Sequence, residues 1–97
     1  MNINLESKLA AVFDEASFAE FLGVLANDRA DEIRKEKINP SSPYSAGSNG
    51  WENIGIDTFL ESAAAWASDF RDSPRYESPS NIWKHCAEIL YAGKGYE

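Results

Sequence analysis

The residue types able to do metal or nucleophile chemistry gather at one place, His85, Cys86 and Glu88. On a helix His85 and Glu88, three apart, share a face, while Cys86 points about 100° away from His85. Zinc takes three or four ligands, and the chain has no second histidine. A Cys–His nucleophilic pair fails for the same angular reason, because adjacent helix positions do not face each other. The expected arrangement is an exposed His85 beside a buried, inert Cys86 on an apolar face. Glu61, Asp69, Asp72 and Glu77 lack the apolar surround that raises a carboxyl pKa for acid catalysis, so they read as solvated acids. No catalytic residue, cofactor site or metal site follows. The expectation is a protein that is not an enzyme, with a small metal-dependent hydrolase as the remote alternative.

Recognition chemistry is better served. Tyr44, Trp51, Glu52 and Asn53 combine aromatic anchors with charged and amide neighbours, the mixture found at interface hot spots. They are the candidate partner-binding residues. Residues 39–50 join them in a stretch with two Pro, two Gly and four Ser and no periodicity, which is a loop by composition. Loops of that length are seldom plain connectors. Its few glycines, with no Gly-Lys-Ser/Thr following, make no phosphate cradle. A structural reading competes at Trp51, which is expected to plug the core while Glu52 and Asn53 satisfy backbone donors at the next helix start.

These residues need elements to hold them. Leu5, Leu9, Val12 and Phe13 have helical spacing over about two turns. Asp14 suits an N-cap ahead of Glu15, and Phe18, Phe21, Leu22, Leu25 and Ile33 then draw one apolar stripe. Residues 28–37 alternate in sign and end basic, a solvated face with Asp31–Lys35 and Glu32–Lys35 pairs. Ile56, Phe59, Leu60, Ala63, Ala64, Ala67 and Phe70 mark the clearest helix, with Gly55 as N-cap and alanines that permit close approach. It is expected to be central, with Leu60 deeply buried. Ser78-Pro79 reads as the cap and first position of a last helix. Its stripe is Ile82, Trp83, Cys86, Ala87, Leu90 and Tyr91, and Gly93 and Gly95 end it. No strand pattern is present. The fold class is all-α, a compact three- to four-helix array, with residues 1–97 as a single helical domain.

Charge and composition bound the partners. The formal charge of −7 is spread over both halves, and no basic stripe exists, so nucleic-acid binding through phosphates is disfavoured. No apolar run approaches a membrane span, and the start, Met1–Glu6, lacks the blocks of a signal peptide. The single cysteine, Cys86, fits a reducing compartment. A cytoplasmic location is the expectation. Acidic charge would steer a basic protein partner. The leading functional expectation is a protein-binding module, ahead of a regulatory or structural homodimer; oligomeric state has no signal in the sequence.

The chain resembles a family of small uncharacterised bacterial proteins. The residues that carry the likeness are Phe18 to Leu25, Trp51-Glu52-Asn53, Phe59-Leu60-Glu61 with Ala65-Trp66, Pro79 to Trp83, and a Tyr96-Glu97 end. The family pattern has Ala where Ser62 stands, a capping Thr where Gly55 stands, and no residue corresponding to Ile82. The resemblance carries no established activity. Through some relatives that lie near toxin–immunity genes, it points towards a cognate-binding role of the immunity type.

Overall fold

A computed structural model describes residues 5–96. Met1–Asn4, the first part of the stretch read above for a signal peptide, and Glu97 of the Tyr96-Glu97 end lie outside the described residues. The chain is all-α, with four helices and no strand among the described residues: α1 Leu5–Ala10, α2 Glu15–Ile38, α3 Ile56–Asp72 and α4 Ile82–Gly93.

Local chemistry sets the helix starts. Asp14 is the N-cap of α2: its carboxylate accepts the Ser17 N–H at 2.9 Å, and the Ser17 hydroxyl accepts the Asp14 N–H at 3.0 Å. These bonds to the charged form hold the Asp14 carboxyl below its ordinary pKa. Gly55 caps α3 without a side chain, and the Thr58 hydroxyl accepts the Gly55 N–H instead. The last helix starts later than Ser78-Pro79. Asn81 is its N-cap, with Oδ1 accepting the Lys84 N–H and Nδ2 donating to the Phe13 carbonyl. The amide of Asn81 thus ties α4 to the α1–α2 turn, a double engagement that Ser78 does not offer.

The central helix is α4, not α3. It packs against α1, α2 and α3, whereas α3 packs against α4 alone. Only two of its twelve residues are charged, Lys84 and Glu88, and a helix apolar nearly all round belongs inside. Phe21 and Leu25 of α2 are buried with Ala87 of α4, Leu5, Val12 and Trp51. Aromatic pairs join the elements: Phe18–Trp83 at 5.6 Å, Phe21–Tyr91 at 6.5 Å and Trp51–Phe59 at 5.9 Å between ring centroids. Val12 is buried beyond the end of α1, while Phe13 faces solvent. Gly93 is buried where α4 meets α3. A Cβ there would stand 2.8 Å from the Phe59 carbonyl oxygen, so only glycine permits this approach.

The α3 stripe divides. Phe59, Ala63, Trp66, Ala67 and Phe70 turn inward to varying depth, but Ile56 is 81% and Leu60 53% exposed. The expectation of a buried Leu60 is thereby corrected: the apolar arc of α3 is wider than its one neighbour can cover. The four helices nonetheless form a compact array, as the sequence reading expects. Its radius of gyration is 14.2 Å, a little above the roughly 12–13 Å typical of a chain of this length.

Candidate functional site

The loop between α2 and α3 is anchored by acids of α2. Glu32 is 1% exposed. Its Oε1 accepts the Asn49 N–H at 2.9 Å and the Trp51 N–H at 3.2 Å, and its Oε2 accepts from Arg29 Nη1 at 3.0 Å. One turn earlier, Asp28 Oδ2 accepts from the Trp51 indole at 2.8 Å and from Lys94 Nζ at 2.9 Å. The same ammonium lies 5.5 Å from the Trp51 ring centroid, so Lys94 adds a cation–π contact. Asn49 closes the network, donating from Nδ2 to the Asp28 carbonyl and to Asp31 and accepting from Lys35. The Asn49 amide, followed by Lys35, holds the Asp31 carboxyl down to about 2. The Asp31–Lys35 pair is present at 2.9 Å, but Glu32 pairs with Arg29 rather than Lys35. What reads as a solvated helical face is a clamp.

The four sequence candidates do not form one surface. Tyr44 is 97% exposed near the loop tip. Trp51 is 6% exposed, packed on Phe59 and held by Asp28, as its core reading requires, so it offers a partner almost nothing. Asn53 Nδ2 donates to the carbonyls of Gly93 at 3.0 Å and Tyr96 at 3.3 Å. The Glu52 N–H donates to the Lys94 carbonyl, while its side chain is exposed. Asn53 and the Glu52 backbone therefore finish the C-terminal end of α4 rather than the start of α3. An amide donor suits the orphan carbonyls there as well as an acid suits orphan N–H groups at a helix start.

His85 is also not where the sequence reading puts it. Its ring lies 4.9 Å from Phe70 and 5.9 Å from Trp66 between centroids. Nδ1 is buried without a hydrogen bond, 3.5 Å from Glu88. Cys86 is half-buried rather than enclosed. The ring of His85 packs at a tilt against the stacked Trp66–Phe70 pair, an environment that helical spacing alone does not reveal. No group of three or more His, Cys, Asp or Glu among the described residues is arranged to hold a metal ion, and no helix among them is long and apolar enough to cross a membrane.

Several hollows open on the described surface. One, about 620 Å³, runs along α4 from Leu9 to Tyr96. Its polar groups are engaged: Lys94 by Asp28, and the Tyr96 hydroxyl by Asp69, which raises the tyrosine pKa. A second, about 290 Å³, opens between α2 and the start of α3, walled by Leu22, Ala26, Arg29, Ile54 and Ile56 over a floor of Phe59 and Leu90. A third, about 530 Å³, adjoins it through Arg29, Trp51 and Ile54 and extends to Ile33 and the 41–47 loop. Sequence reasoning missed the α2–α3 groove. The available signal was a second line on α2, Leu22, Ala26, Arg29 and Ile33 (i, i+4, i+7, i+11), beside the buried line Phe21, Leu25, Asp28 and Glu32.

A search among characterised proteins and one among solved structures gave no match. A family model of unknown function, DUF7660, matches residues 14–97, from the α2 cap through the loop clamp to the end of α4. The chain belongs to this family of unknown function, DUF7660.

Proposed function

We propose that this chain is a non-catalytic protein-binding module whose partner is basic. The observation that carries the reading is the charge left over once internal pairing is satisfied. Five of the nine Lys and Arg residues, Lys8, Arg29, Arg34, Lys35 and Lys94, are spent on acids of the fold, while Lys37, Arg71, Arg75 and Lys84 form no ion pair among the described residues and are outnumbered by unpaired acids. Glu52, Asp57 and Glu61 remain exposed with no ion partner among the described residues. They stand beside the exposed Ile54, Ile56 and Leu60. Acids of this kind steer a basic partner, and adjacent apolar groups supply contact area. The polar groups of the clamp argue against a reaction centre in that network: Asp28 and Glu32 spend their hydrogen bonds on the loop, and Asn49 of the loop spends its own on α2. An immunity-type inhibitor of a basic toxin is one form this module would take.

The test is capture with the purified chain as bait, followed by titration of the isolated partner at low and high salt. A partner of high isoelectric point whose affinity falls at least about tenfold between 50 and 500 mM salt agrees with steering by exposed acids. Turnover of the captured molecule, or an affinity indifferent to salt, contradicts the proposal. Tyr44→Ala and Glu52→Ala then test the loop: each is expected to weaken binding with the melting temperature nearly unchanged.

A further inference from the structure

Two helices that pack on neighbouring faces of a third leave a groove between them wherever they do not meet. Here α2 and α3 both pack against α4 and not against each other. The space between them is the 290 Å³ groove, continuous with the hollow that reaches Ile33. Its walls are exposed: Ile54 is 66% and Ile56 81% accessible, and Leu22 and Ile33 are also open to solvent. From Leu22 to Ile33 the α2 wall runs about 16 Å, three turns of helix. On α3, Asp57 and Glu61 form an acidic line directly alongside the apolar line Ile56 and Leu60.

We propose that the α2–α3 groove is the docking site for a basic amphipathic helix of the partner protein, laid in with its apolar face on Leu22, Ile54 and Ile56 and its cations against Asp57 and Glu61. The inference rests on the basic-partner reading above. A helix suits the slot because it can lie across it and insert the apolar side chains of one face, which is what a hollow of about 290 Å³ has room for. Strand addition lacks a template, since no strand exists among the described residues. Charge selects the partner. In a two-fold pairing of this chain the same patch faces itself, which sets Asp57 and Glu61 against acids. Of the cations along the groove and the adjoining hollow, Arg29 is already bound to Glu32 at 3.0 Å, and Lys37 lies at the far end, where Glu32, Glu36 and Glu52 also line the wall. A basic helix meets no such repulsion.

The experiment uses the full chain and two synthetic helix-forming peptides of roughly 18 residues, long enough to hold a helix. Both carry Leu at i, i+3 and i+7; one is flanked by Lys, the other by Glu. Backbone amide shifts are recorded during titration, and affinities are measured by fluorescence anisotropy. The Lys peptide is expected to bind at least about tenfold tighter than the Glu peptide and to perturb residues 22–33 and 54–61. The exposed Ile56→Ser and Ile54→Ser changes are expected to weaken it about tenfold or more at unchanged melting temperature. Asp57→Asn with Glu61→Gln should flatten its salt dependence. Lys-peptide binding that maps elsewhere and ignores Ile56→Ser overturns the groove while leaving the basic-partner reading standing. Absence of binding by either peptide, or equal binding of both, overturns the groove; the reading of a basic partner then falls only if the captured partner is also indifferent to salt. A dimer of the free chain that Ile56→Ser dissociates assigns the groove to a second copy and also overturns the proposal.

Discussion

Replacing Glu32 by alanine is expected to be among the most damaging single changes in the chain, although the residue is an acid on a helix that reads as solvated. The carboxylate is 1% exposed and serves three donors: the backbone N–H groups of Asn49 and Trp51 and the Arg29 guanidinium. Alanine leaves the two N–H groups without their acceptor, at about 1–3 kcal/mol for each that stays dry. Arg29 keeps 27% of its side chain in solvent and turns outward, so it adds little. Water entering the vacated space offsets part of the loss. The expected cost is about 2–5 kcal/mol, in line with breaking a buried ion pair and a large share of the roughly 5–15 kcal/mol that a domain of this size has. Urea unfolding followed by tryptophan fluorescence reads the loss. Glu32→Gln keeps an oxygen for both N–H groups and gives up only the charge toward Arg29, so it should cost about 1–2 kcal/mol. A loss below about 1 kcal/mol in Glu32→Ala would refute the clamp.

The other expectations concern packing and pH. Gly93→Ala should destabilise by about 1–3 kcal/mol in the same assay, because the new methyl meets the Phe59 carbonyl 2.8 Å away and backbone cannot yield as a side-chain tip can. Leu60→Ala should cost under about 1 kcal/mol, since the side chain is 53% exposed; a loss of 2 kcal/mol or more would restore α3 as the core. Asp31 titrates near 2 in the folded chain against an ordinary value of 3.8. A depressed folded pKa means stability that is fully present above 3.8 and lost as pH falls toward 2. Asp31→Asn should therefore make the acid-side decline between those values shallower, and an unchanged slope would show the Asn49 and Lys35 contacts to be without effect.

Local signals in the sequence translated well and global ones did not. The Asp14 cap and the Gly55 start lie within a few residues of the bonds that make them, so spacing and residue type sufficed. The start of α4 was misplaced because Asn81 acts partly through Phe13, 68 positions away. The apolar arc of α3 told that one face is buried but not which edge, and Ile56 and Leu60 fell on the uncovered side. Centrality of α4 was legible in its two charges in twelve residues, yet length and alanine content drew the reading to α3. Trp51 was rightly placed in the core. Its holder was missed, because Asp28 and Glu32 continue the buried line of Phe21 and Leu25 with acids, the opposite of what an amphipathic pattern rewards. The loop supplied the complementary clue: Gly47, Asn49 and Gly50 bring N–H groups that need acceptors. Gly47 is required there, as a Cβ would collide with the Glu32 carboxylate.

The most direct test of the functional account is amide hydrogen exchange of the full chain with and without the isolated partner. Binding through the α2–α3 groove predicts added protection confined to residues 22–33 and 54–61, weakening as salt is raised and absent in Ile56→Ser. Protection that instead covers the Leu9–Tyr96 hollow along α4, or that persists unchanged in Ile56→Ser, would contradict it.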